Sequence, residues 1–155
     1  MKITVRSYDD DVRKTLLDGI ERIAEAQAKS AGLPDDLMPV VTSESDYTPS
    51  TFNDPDMTER VVKAIGASIG EDLVITTPPS MGGEDFSLFH RYDKTIPSVI
   101  FWTGGADPKA LKAAMEGKGE LPSANHSPFF APQAEPALKL GVRAMTAGAI
   151  DLFKE

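Results

Sequence analysis

The sequence predicts an α/β protein, with strands alternating with helices so that helices pack on a sheet. Three observations carry that expectation. Residues 2–8 alternate Ile3 and Val5 against Thr4 and Arg6, the period of a half-buried strand. Three long stretches repeat apolar residues at helical spacing. Ser98-Val99-Ile100-Phe101-Trp102-Thr103 is apolar nearly throughout, as in a strand covered on both faces.

The elements follow in order. After the first strand, Asp9-Asp10-Asp11 supplies an N-cap and an acidic first turn. Val12, Leu16, Ile20, Ile23 and Gln27 then mark a helix that Gly32 and Pro34 end. Gly19 inside it costs about 1 kcal/mol relative to alanine and suggests close packing there. Leu37 to Glu44 reads as a second strand, with Pro39 placing it at an edge. Tyr47 to Asn53 is polar and loop-like, a domain crossing. Asp54-Pro55 opens the next helix, whose stripe is Met57, Val61, Ile65 and Ile69, ending at Gly70. Residues 73–77 form a short strand, and Phe86, Phe89 and His90 lie on one helical face. Trp102 belongs to the core of its strand. Asp107-Pro108 starts a helix that Gly117 stops, and Leu138, Val142, Met145, Ala149 and Leu152 mark a long terminal helix.

Composition narrows the partners. Of 155 residues, 24 are acidic and 16 are Lys or Arg, and the net charge of −8 argues against nucleic acid and anionic membranes. With no cysteine there is neither a disulfide nor a thiolate metal site. No apolar run approaches a membrane span and no signal-peptide core opens the sequence, so a cytoplasmic protein is expected. The sequon Asn125-His126-Ser127 is then a chance match.

Two stretches could carry chemistry. Leu121 to Phe130 is a long loop stiffened by two prolines, with Phe129 and Phe130 offering something to bury. It holds His126, whose imidazole could bind a metal. Taken alone, His126 fits a packed loop with an incidental histidine better than a ligand. In Pro78 to Ser87, Gly82 and Gly83 let the backbone approach a ligand closely, and Glu84 and Asp85 precede a helix with free N–H groups. The plainer account is a glycine turn with two carboxylates favoured by the helix dipole. His90 reads as a surface or packing histidine. Arg6 could reach a substrate carboxylate, but a pairing with Asp9 or Asp10 suits it better.

Together, "MGGEDFS" and, some forty residues on, "HSPFF" resemble the C-terminal part of the metal-dependent amidohydrolases of the aminoacylase and carboxypeptidase superfamily. Hippurate hydrolase and the auxin-conjugate hydrolases belong to that branch. "TVRSYDDDVRKTLLDGIERIA" resembles the second half of the family's small lid domain, and "FNDP" its return to the catalytic domain. The order of acids in Gly82-Gly83-Glu84-Asp85-Phe86 is reversed from that of diguanylate cyclases, whose motif lies on a hairpin, and no nucleotide signature accompanies it.

The resemblance implies half of a ferredoxin-like lid or dimerisation domain over residues 1–51. The C-terminal part of an α/β zinc-peptidase catalytic domain would follow over 52–155. His126 would be the last metal-binding histidine, and Gly82, Gly83, Glu84 and Asp85 would border the substrate pocket. Where the family most often has leucine before the histidine, this sequence has Asn125. The other ligands and the general base lie in a part not present, so no catalytic residue is assigned. A divalent metal, zinc or manganese, would serve the full-length enzyme without binding stably here. The implied substrate is a small N-acyl amino acid or peptide-like conjugate. A competing expectation is a non-catalytic module that forms homo-oligomers through the exposed strand edges of 2–8 or 37–44.

Overall fold

A computed structural model describes residues 1–44 and 46–154, and among them every regular element is helical. Five α-helices appear: α1 (Asp10–Ser30), α2 (Pro55–Ile69), α3 (Ser87–Tyr92), α4 (Pro108–Met115) and α5 (Ala134–Leu152). Short 3-10 turns cover Asp35–Leu37 and Glu71–Leu73.

Local capping chemistry explains where most helices begin and end. Asp9 accepts the N–H groups of Asp11 and Val12 at 2.8 and 3.1 Å, opening α1. Asp54 accepts from Met57 at 2.8 Å with Pro55 in the first turn of α2. Asp107 does the same for Lys109 and Ala110 at the start of α4. At the other end of α1, Gly32 takes φ 70°. Its N–H reaches Lys29 O, and the N–H of Leu33 reaches Ala28 O, a Schellman closure. Gly117 repeats it after α4, with φ 73° and bonds to Ala114 O and, from Lys118, to Ala113 O.

The expected α/β class is overturned, and with it both the ferredoxin-like half-lid and the sheet of the zinc-peptidase part. Residues 2–8, 37–44, 73–77 and 98–103 form no strand among the described residues. The backbone is extended at Met38 (φ −63°, ψ 144°) and Val74 (φ −101°, ψ 112°). Extended backbone at such positions is not enough, because a strand also needs a second segment to exchange ladder hydrogen bonds. These segments find none, and Ile3, Val40 and Ile75 stay exposed. Trp102, expected in a core, is also exposed. Oligomerisation by edge pairing of 2–8 or 37–44 loses its premise, since no sheet edge exists there.

The chain divides into two compact units. The first comprises residues 1–53 and 78–100, the second 54–77 and 101–155. In the first, polar contacts do much of the tethering. Arg91 pairs with Asp10 and donates to the Tyr47 hydroxyl at 3.4 Å. The Arg13 guanidinium lies 3.6 Å from the centroid of the Tyr47 ring. The Asn53 amide donates to Ile100 O at 2.8 Å and accepts from Ile100 N at 2.9 Å. One side chain thus supplies both bonds that a neighbouring strand would have made. No atom lies within 4 Å of a Cβ built on Gly19, so the close packing expected there is absent.

The second unit is built on α2 against α5. Val61, Ile65 and Ala144 are buried, with Met57, Ile69, Val74 and Phe101 packed around them. The expected stripe of α2 is the one buried. In α5 the stripe Leu138, Val142, Met145 and Leu152 is exposed, and the small residues Ala144 and Gly148 turn inward. Arg60 crosses from α2 to Asp151 at 2.8 Å, and Arg143 donates to Ser68 O.

Candidate functional site

The glycine stretch lies in the first unit. The left-handed glycines are Gly32, Gly70 and Gly117, so neither Gly82 nor Gly83 is required by a positive φ. Space does not require Gly83 either, because a Cβ there would sit 3.4 Å from Thr48 Cβ, an ordinary contact distance. The Gly82 N–H donates to Ser80 Oγ at 3.2 Å. Arg6 donates to Met81 O rather than pairing with Asp9 or Asp10. Instead of offering free N–H groups to Glu84 and Asp85, the chain turns so that their carbonyls accept from Ser87 and Leu88 at 3.3 and 2.9 Å. The Thr51 hydroxyl reaches Glu84 O at 3.5 Å, and neither carboxylate carries an ion pair among the described residues.

His126 lies in the second unit, exposed, with φ 68°. It is the third residue of a turn closed by Ser127 N–H to Ala124 O at 3.2 Å. A second turn follows directly, from Phe130 N–H to Ser127 O at 3.1 Å, braced by Phe129 N–H to Ser127 Oγ at 3.2 Å. Left-handed geometry is ordinary for glycine at such a position and costs other residues about 1 kcal/mol or more. Among the described residues His126 is the one non-glycine to adopt it. Nothing in the sequence marked that conformation, since histidine tolerates it without requiring it. Phe129 and Phe130, expected to anchor the loop, are both exposed.

These residues do not fit a metal ion. A hydrolytic metal site takes about three protein ligands, and no group of three His, Asp or Glu side chains converges among the described residues. His90, in the first unit, has its Nδ1 2.9 Å from Ile96 O. No reaction step is therefore assigned to a metal held by this chain. No described helix is long and apolar enough to cross a membrane.

One concavity in the first unit escaped the sequence reading. It measures about 270 Å³ and brings together residues from three separate stretches, 8–11, 50–52 and 87–98. Its lining includes Asp11, Ser87, His90 and Lys94. No spacing rule joins stretches so far apart.

Comparison with known proteins gives the context. Residues 38–147 match the family described as Peptidase family M20/M25/M40. Thermostable carboxypeptidase 1 of Saccharolobus solfataricus is 31% identical over 144 residues, 93% of this chain and 32% of the relative. Thermostable carboxypeptidase 2 of the same organism is 31% identical over 150 residues, 97% of this chain and 33% of the relative. IAA-amino acid hydrolase ILR1-like 4 of Arabidopsis thaliana is 27% identical over 128 residues, 82% of this chain and 26% of the relative. The chain thus spans about a third or less of the length of these relatives.

Proposed function

The chain belongs to Peptidase family M20/M25/M40, and from that premise we propose that it is part of a metal-dependent amidohydrolase. The substrate would be the amide of a small N-acyl amino acid or similar conjugate. The family match over residues 38–147 carries this reading. The names of the relatives, two carboxypeptidases and a hydrolase of an amino-acid conjugate, favour a peptide-like amide as substrate. In the whole enzyme His126 would be one ligand of a zinc or manganese ion, and Gly82, Gly83, Glu84 and Asp85 would border the substrate. Residues 1–51 would serve as lid and 52–155 as part of the catalytic domain. The enzyme would work in the cytoplasm as a homo-oligomer.

These 155 residues by themselves would not turn over. Two histidines and no cysteine make a thin ligand inventory, and a lone exposed imidazole neither fixes a metal's geometry nor places a base beside a bound water. The outward stripe of α5 supports the same view, since Leu138, Val142 and Met145 are suited to cover by further protein.

The test assays the 155-residue chain and the complete reading frame that contains it, on N-acyl amino acids with zinc, manganese or cobalt added. The chain alone should release no amino acid above background. The complete frame should release it and lose the activity on His126→Ala. Steady metal-dependent release by the 155-residue chain, abolished by His126→Ala, would overturn the proposal.

A further inference from the structure

We infer that the concavity of the first unit is a binding site for a free α-amino acid, its carboxylate taken by Lys94 and Ser87 and its ammonium by Asp11 and His90. The inference stands on that concavity and does not depend on the proposed hydrolysis.

Its starting point is a buried group without a partner. Ser87 is 3% exposed, lines the concavity, and its Oγ has no hydrogen-bond partner among the described residues. A buried hydroxyl left unpaired is destabilising, so in native proteins such groups point to something that completes them. Ser98, 4% exposed, lines the same space.

Elimination then identifies the charges free to act. Asp9 is committed to the first turn of α1, where it accepts two N–H groups. Asp10 is committed to Arg91, and Arg91 to Asp10 and the Tyr47 hydroxyl. Ser50 donates to Tyr8 O at 2.6 Å. Of the charged groups lining the space, Lys94 and Asp11 remain without a partner among the described residues. Lys94 sits in a turn fixed by Asp93, whose carboxylate accepts the N–H and hydroxyl of Thr95 at 2.9 and 2.7 Å.

His90 adds a directional constraint. Ile96 O can only accept, so the hydrogen bond at 2.9 Å places a proton on Nδ1. In the neutral ring Nε2 is then an acceptor, suited to an N–H donor of a ligand. A carboxylate meets Lys94 and the Ser87 hydroxyl, and an ammonium meets Asp11 and His90 Nε2. A ligand bearing both groups uses all four. The volume of about 270 Å³ suits a molecule of amino-acid size, and Phe52 offers an apolar wall to a side chain.

The test is titration calorimetry on the full 155-residue chain with three probes: L-leucine, N-acetyl-L-leucine and isoamylamine. L-Leucine should bind. The other two, each lacking one charge, should bind at least about tenfold more weakly, one factor of ten being about 1.4 kcal/mol. Lys94→Met and Asp11→Asn, both at exposed positions, should each weaken L-leucine about tenfold while leaving thermal unfolding unchanged. Ser87→Ala should weaken it a few-fold, and because that hydroxyl has no partner to lose, the variant should fold. Absence of L-leucine binding at about 10 mM, equal binding of the N-acetyl form, or indifference to Lys94→Met and Asp11→Asn would each overturn the inference.

Discussion

Helices α2 and α5 pack on each other, yet they treat their own apolar patterns in opposite ways. Met57, Val61, Ile65 and Ile69 of α2 face inward as their spacing announces. Leu138, Val142 and Met145 of α5 are 68%, 65% and 63% exposed, while Ala144 is 2% exposed. The contact itself explains the difference. A Cβ on Gly148 would lie 3.6 Å from Val61 Cγ1, so small residues let the α5 backbone approach the bulky stripe of α2. Large side chains on both helices would hold the axes apart. A hydrophobic stripe therefore measures a capacity for burial, and the partner's shape decides which face uses it. The outer stripe of α5 is left as an apolar surface to which the proposed larger enzyme gives a purpose.

The largest expected effect tests that contrast directly. Ile65→Ala should lower unfolding free energy by about 2–4 kcal/mol, because it deletes buried methylenes and leaves a cavity. Val142→Ala should change it by no more than about 0.5 kcal/mol. Urea titration of both variants decides the matter, and equal losses would mean that the outer stripe is covered in solution. Somewhat smaller is the effect of Ala144→Leu, which forces a branched side chain between the two helices. It should cost about 1–3 kcal/mol by overpacking, and a neutral result would show that the interface is loose.

Glycine offers a gentler version of the comparison. Gly148 faces Val61, but Gly19 in α1 faces nothing within 4 Å. Gly19→Ala should therefore stabilise by about 1 kcal/mol, the difference in helix propensity and chain entropy. A loss on thermal unfolding would reveal packing at Gly19. At His126 the expectation is subtler. With φ at 68°, His126→Gly should match or exceed the parent stability while His126→Val should fall below it by about 1 kcal/mol. If the order were reversed, the left-handed turn would not persist in solution.

What the sequence revealed follows the range of the forces involved. Helix limits were legible because caps are local: Asp9, Asp54-Pro55, Asp107-Pro108, Gly32 and Gly117 all act within a few residues of themselves. Strands were not, because residues 2–8 and 37–44 read alone cannot report whether a second segment lies alongside. The direction of α5 was illegible for the same reason, since the choice lay with Val61 and not with α5. Of the candidate site, the glycine stretch and His126 could be singled out as motifs. The concavity could not, as Asp11, Ser87 and Lys94 meet only in the folded chain. Asn53 left a trace in "FNDP", but its pair of bonds to Ile100 needed the structure to be seen.

The smallest expected effect concerns the polar edge of the α2–α5 contact. Arg60 Nε lies 2.8 Å from Asp151 Oδ2, and the same guanidinium also donates to Asp151 O and Lys154 O. The hydrogen bond from Arg60 holds the Asp151 carboxyl below the usual aspartate range, against an opposing desolvation and with lesser attraction from the charges of Arg60 and Lys154. A carboxyl whose folded pKa lies below its unfolded value binds fewer protons in the folded state. Its stabilisation is therefore fully present above the unfolded value of about 3.9 and disappears as pH falls through the folded one. Asp151→Asn should remove that pH-dependent part alone. Parent and variant should differ at neutral pH and converge in acid, and the gap should narrow in high salt because the pair is solvent-accessible. Denaturation curves that stay parallel from neutral pH down to about pH 2 would show that the bond between α2 and α5 contributes nothing by its charge. Packing at Ala144 and Gly148 would then hold the two helices together without it.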